Sequence, residues 1–161
     1  MLNVILETCA GTLTQGLIYA ILSYGIFITY KILDFPDLTV DGSFPLGAAV
    51  TAVLLTHGVN AWLTLPIALV IGALAGLCTG LIHVRAKVRD LLAGIITMTA
   101  LYSINLQIAG SNLMVERAID TIYTSAPVMA LLGSVPLLYR KLIVSLVLVV
   151  LIGLVLEWYF S

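Results

Sequence analysis

The amino-acid sequence predicts an all-α fold, a polytopic membrane helix bundle of about five spans with one of them broken near residues 34–45. Three observations carry this. Hydrophobic residues make up 61% of the chain and charged residues only 9%, whereas a soluble domain ordinarily carries about a quarter charged side chains to cover its surface. Mean hydropathy is +1.18. The few charged positions divide the chain into apolar stretches, several of them close to the roughly 20 residues a helix needs to cross about 30 Å of hydrocarbon.

Taken in order, the first span runs from Gly16 to Leu33, where Leu, Ile, Ala, Tyr and Phe dominate. Asp34 to Pro45 follows, with two prolines, a glycine and three carboxylates, a combination that breaks a regular helix. Apolar character returns from Leu46 to Leu55 but stops at His57-Gly58-Val59-Asn60. This second span is short or broken, and reaches across only if part of the preceding break lies inside the membrane. Leu63 to Ile82 is the third span, with Pro66 in its first turn and Gly72, Gly76 and Gly80 repeating on one face, a pattern that lets another helix approach closely. Next, Arg85, Lys87 and Arg89 place three of the seven basic residues in one short loop. By the positive-inside rule that loop is cytoplasmic.

Leu91 to Gly110 forms the fourth span and carries Thr97, Thr99, Ser103, Asn105 and Gln107, which lipid cannot satisfy and which must face protein or water. Ser111 to Ser125, with Glu116, Arg117 and Asp120, then lies outside. Pro127 to Tyr139 is too short to cross, and Leu142 to Tyr159 is the last span. Arg140 and Lys141 at its outer end run against the positive-inside rule. Counting back from the basic loop puts Met1 outside. No linker or low-complexity stretch divides the chain, so residues 1–161 read as a single membrane domain.

Several function classes are excluded. A net charge of −1 and a pI near 6.0 give no electrostatic claim on nucleic acid. Lys31, Lys87 and Lys141 all follow residues other than glycine, so no P-loop is present. His57 and His83 have no nucleophile or carboxylate partner at a catalytic spacing, so no catalytic residue and no enzyme activity are assigned. Cys9 and Cys78 have no metal-ligand spacing; Cys78 reads as a small packing residue. Asp34, Asp37 and Asp41 have the oxygen donors of a hard-cation site, but helix capping by carboxylates at the water interface accounts for them more simply. No metal and no cofactor is expected. For Asp37 to Ser43 a second reading stands beside capping: irregular backbone dipping into a water-lined cavity. Thr97 and Asn105 either cross-link helices or line a path. The basic loop is a topology signal or a docking site for lipid headgroups or a partner, and the glycine face an internal packing surface or a dimer seam.

Two blocks carry a resemblance. Gly16-Leu17-Ile18-Tyr19-Ala20 with Ile32 to Ala48, and Asp90 to Leu106, are similar to the permease subunits of bacterial ABC importers, in a group related to branched-chain amino acid and ribose permeases. The likeness is specific over about residues 11 to 110 and looser beyond. It implies a multi-pass protein of the bacterial inner membrane that moves an amino acid or similar small polar solute. The implied partners are a second permease copy or a complementary chain, a cytoplasmic ABC ATPase and an extracytoplasmic solute-binding protein. It also implies that Asp37, Thr39, Asp41 and Ser43 lie at a broken helix near the translocation path; Thr97 and Asn105 are path candidates from their polarity within the fourth span alone. Family members continue past Glu157-Trp158-Tyr159-Phe160 into a coupling segment and more spans, so the chain is expected to be the N-terminal part of a longer family domain. The rival expectation is a non-transporting scaffold that packs against partners through Gly72, Gly76 and Gly80.

Overall fold

The computed structural model describes residues 1–34, 37–110 and 119–160, the side chains of Leu2, Asn3 and Leu33 apart. Among these there is no strand, and the helices are α1 (Leu2–Leu33), α2 (Val40–Thr56), α3 (Ala61–Ala86), α4 (Asp90–Ala109), α5 (Ala126–Leu132) and α6 (Leu137–Phe160), with a 3-10 turn at Ile122–Thr124. Four of the helices, α1, α3, α4 and α6, are long and apolar enough to cross a membrane, and α2 is a shorter apolar helix. Phe35, Pro36, Glu116 and Arg117 lie outside the described residues.

α1 begins well before Gly16. The polar-looking stretch ahead of that residue remains helical because Thr8, Thr12 and Thr14 each donate a hydroxyl hydrogen bond to the carbonyl four residues back, at 2.8–2.9 Å. Bonds of this kind satisfy the hydroxyl within its own helix. α1 stops at Asp34, which turns left-handed (φ 59°) while its N–H donates to the Tyr30 carbonyl at 3.1 Å. Asp is one of the few residues with a side chain that visits this region readily.

Within the expected break, helix resumes at Val40, so Asp41 to Pro45 are helical. Pro45 is the sixth residue of α2 and leaves only the Asp41 carbonyl without its usual donor. The helix ends in a Schellman turn: Gly58 (φ 78°) donates to the Leu55 carbonyl and Val59 to that of Leu54, both at 3.0 Å. Two residues on, Asn60 caps α3, its side-chain oxygen accepting from the Trp62 N–H at 3.0 Å. Because α3 begins at Ala61, Pro66 stands in its second turn rather than its first. α4 ends at Gly110, whose φ of 60° and ψ of −146° only glycine adopts at low cost.

The described residues gather into two compact units. One, Ile26–Ile122, holds α2, α3 and α4 around Leu46, Ala75 and Leu101, with Val50, Ile71 and Ile108 against them. Gly42 makes that packing possible. A Cβ there would sit 3.1 Å from both Leu101 Cβ and Met98 Cα, so α2 meets α4 backbone to backbone. α3 exposes Leu63, Leu74, Leu77 and Leu81 along one side and Leu65 and Leu69 on another, apolar surface suited to lipid.

The other unit comprises Met1–Gly25 and Tyr123–Ser161. Here Tyr24 Oη approaches within 3.0 Å of where a Cβ of Gly153 would lie. α6 starts at Leu137, earlier than Leu142, so Arg140 and Lys141 belong to its first turns. Arg140 is buried, and its guanidinium donates to the carbonyls of Val135 (3.0 Å), Gly133 (3.4 Å) and Tyr123 (3.4 Å) and meets the Met129 sulfur. Lys141 Nζ lies 6.0 Å from the centroid of the Tyr123 ring. Both cations thus belong to the local structure that ties the short helix α5 to α6.

Candidate solute path at the recessed start of a short helix

Three registers fix how far the start of α2 is recessed behind the loop joining α3 to α4. Gly94, four residues into α4, faces the backbone N of Leu38, its ideal Cβ position lying 3.4 Å away. Thr39 Oγ1 and Thr79 Oγ1 share a hydrogen bond of 2.8 Å, and Thr79 is seven residues short of the end of α3. Gly42 lies against Met98, eight residues into α4. At 1.5 Å per residue these registers correspond to about 6, 10 and 12 Å along the helices. α3 itself is about 39 Å long and overhangs a hydrocarbon core of about 30 Å by roughly 5 Å at each end when centred. Thr39 therefore lies about two helical turns in from the end of α3.

Backbone at that depth must find its own partners. The Asp37 carboxylate accepts the Thr39 N–H at 2.9 Å, and the Thr39 carbonyl accepts from the N–H groups of Gly42 and Ser43 at 3.0 and 2.9 Å. Thr39 is 2% exposed and uses its hydroxyl to join α2 to α3. Asp37 thus closes an Asx turn onto Thr39, the N-cap residue of α2, and neither Asp41 nor Ser43 caps the helix. The reason is register: with Val40 as the first helical residue, Asp41 and Ser43 already lie beyond the cap. Asp41 is exposed on the first turn of α2, and the Ser43 hydroxyl reaches the Val40 carbonyl at 3.4 Å.

A cavity of about 430 Å³ opens beside this turn, lined by Asp37, Gly76, Thr79, Gly80, His83 and Asp90 among others. His83 Nδ1 lies 2.8 Å from the Val88 carbonyl and is ion-paired with Asp90 Oδ1. Among the described residues no group of three His, Cys, Asp or Glu side chains is placed to hold a metal ion.

The other candidates fall into two groups. Thr97 is buried and donates to the Ala93 carbonyl of its own helix at 3.0 Å. Asn105 donates through Nδ2 to the Gly42 carbonyl at 3.2 Å, while its Oδ1 is buried with no hydrogen-bond partner. Nothing lies within 4 Å of a Cβ built on Gly72, Gly76 or Gly80; two of these glycines wall the cavity instead. The glycines that bring the start of α2 and the turn before it against α4 are Gly42 and Gly94, which no periodicity marks. Their sequence signal is a glycine in the first turns of a helix beside a polar break. Arg85 is exposed in the last turn of α3, Lys87 and Arg89 are exposed on the loop that follows, and Cys78, read as a packing residue, is exposed as well.

Among the described residues, long apolar helices packed around a polar turn define a multi-pass membrane protein. Residues 8–161 match the branched-chain amino acid transport system permease component family, and the chain belongs to that family. It is an inner-membrane protein by that membership. It is 46% identical over 102 residues to a tyrosine transport system permease protein of Clostridioides difficile (strain R20291), a match covering 63% of this chain and 35% of the relative. It is also 40% identical over 96 residues to an uncharacterised protein of Rickettsia prowazekii (strain Madrid E), covering 60% of this chain and 34% of the relative. The chain thus matches about a third of the length of these relatives. No solved structure matches it.

Proposed function

We propose that this chain is a membrane subunit of a binding-protein-dependent ABC importer that moves an amino acid or similar small polar solute by alternating access. Residues 1–161 belong to one permease-type domain, a reading supported by a family match that covers both compact units. The loop at Arg85, Lys87 and Arg89 faces the cytoplasm. A second permease copy or complementary chain, a cytoplasmic ATPase and an extracytoplasmic solute-binding protein complete the system. The ATPase supplies the energy, and its cycle shifts the population between inward-open and outward-open states. The likeness to a permease named for tyrosine transport supports the amino-acid class of cargo.

One observation carries the reading: the start of α2 is recessed among α3 and α4 and flanked by an open cavity, with Asp37 and Thr79 on its wall. Polar groups at that depth need a reason, because ionisable side chains inside a membrane are costly and mark solute or ion pathways. Asp37 and Thr39 form the floor of the path, Asp41 and Ser43 its continuation along α2, and the unpartnered Asn105 oxygen a further polar contact. Thr97, bonded within its own helix, contributes least.

Asp37→Asn is the discriminating test. Asparagine keeps a side-chain oxygen to accept the Thr39 N–H, so the turn survives and only the charge is lost. In membranes containing the whole transport system, uptake falls about tenfold at unchanged subunit abundance, the scale of one hydrogen bond to a charged group. Unchanged uptake favours the scaffold reading, which the open positions at Gly72 and Gly76 support: a face without close neighbours in this chain is available to a partner helix.

A further inference from the structure

The loop between α3 and α4 also borders a second, larger cavity of about 820 Å³. Its lining has two characters. Lys87 and Arg89 supply fixed positive charge; Val84, Val88 and Leu91 supply apolar wall. Lys87 stands in the left-handed conformation (φ 52°), which ends α3 and turns the chain sharply toward α4. The one carboxylate in the lining is Asp90. Its Oδ1 is turned against His83 and has almost no exposed surface, while the side chain as a whole is 39% exposed. The open part of the cavity therefore presents two cations and one partly exposed carboxylate beside aliphatic side chains, at the end of two membrane-length helices.

We infer that this cavity binds the phosphate headgroup of an anionic glycerophospholipid, with Lys87 and Arg89 on the phosphate and Val84, Val88 and Leu91 against the proximal acyl chain. A topology signal needs only charge on the loop. It does not need a concave site, nor does it need leucine and valine beside the cations. Free phosphate would use the cations and leave the apolar wall idle, whereas a lipid uses both. Basic pockets between helices on the cytoplasmic side are a recurring form of headgroup site. This cavity shares His83, Val84 and Asp90 with the one beside the recessed turn, but Lys87 and Arg89 line this one and not the other.

The test is native mass spectrometry of the intact chain in detergent with equimolar phosphatidylglycerol and phosphatidylcholine. The wild-type chain retains phosphatidylglycerol preferentially. Lys87→Gln with Arg89→Gln reduces that preference about 25-fold, or about fivefold for each cation removed. Arg85→Gln, in the last turn of α3 and outside the cavity lining, leaves it within twofold. Equal retention of the two lipids by the wild-type chain overturns the inference. So does an equal loss from Arg85→Gln, which would mark general charge rather than a site. Displacement of the lipid by millimolar inorganic phosphate would identify free phosphate as the ligand instead. Unaltered lipid retention by the double variant, with loss of a co-purifying cytoplasmic subunit, would assign the loop to protein docking.

Discussion

Arg140 shows how much a single side chain can mislead a reading based on charge alone. On the sequence it is a cation at the wrong end of α6. In the structure it is 6% exposed and supplies donors to three carbonyls around the turn between α5 and α6. The guanidinium suits this work because it is planar, always charged and carries five donors in a fixed fork. Its Nε has no hydrogen-bond partner. Arg140→Leu is expected to speed amide exchange at Gly133, Ser134, Val135 and Leu137 by at least about tenfold, the effect of losing one bond worth about 1.5 kcal/mol. Arg140→Lys restores only part, since an ammonium cannot span the same acceptors. Orientation of α6, read by a reporter fused after Phe160, is unchanged in both variants. Unaltered exchange in Arg140→Leu would show that the turn holds without the guanidinium.

At the scale of elements, the glycines make the sharpest test. Gly42 and Gly72 are both helical, yet one has backbone 3.1 Å from its ideal Cβ and the other has nothing within 4 Å. Gly42→Val should destabilise the α2–α4 contact by about 1–3 kcal/mol through overpacking. Gly72→Ala should be neutral or stabilising by up to about 1 kcal/mol through helix propensity. Unfolding in mixed micelles measures both, and equal effects would mean that close approach at Gly42 is not what holds the pair. The existence and order of the helices were legible because their apolar runs are long and their stops are Pro, Gly and clustered charge. Their starts were less so. α1 extends back to Leu2 because threonines satisfy themselves within a helix, and α2 resumes at Val40 because a proline in the second turn costs one bond rather than the helix. Of the candidate site, Asp37 and Thr39 were legible as polar groups in a break. The Thr39–Thr79 bond was not, since it joins residues 40 positions apart, and no local pattern encodes a contact of that range.

For the whole molecule, the testable quantity is orientation. Lys87→Cys, placed in a chain with Cys9→Ser and Cys78→Ala, should react with an impermeant maleimide only when the cytoplasmic face is opened. Replacing Arg85, Lys87 and Arg89 together by Gln should produce a detectable inverted fraction, because the loop carries the orientation bias while Arg140 is occupied by carbonyls. Labelling of Lys87→Cys in sealed, right-side-out cells would reverse the assignment of every span.

The length of α2 has a consequence for how the chain enters the bilayer. Its 17 residues extend about 26 Å, and its uninterrupted apolar part, Leu46 to Leu55, is far shorter than the segment that partitions into lipid unaided. A nascent chain therefore cannot commit α2 to the membrane as it emerges. Commitment waits for α3, four residues further on and long enough to insert by itself, and the Schellman turn with the Asn60 cap closes the two into a hairpin. α2 then enters as the dependent half of a pair, its recessed start reaching its depth only when α4 arrives to receive Gly42. The polar turn is thus the last part of this unit to be placed.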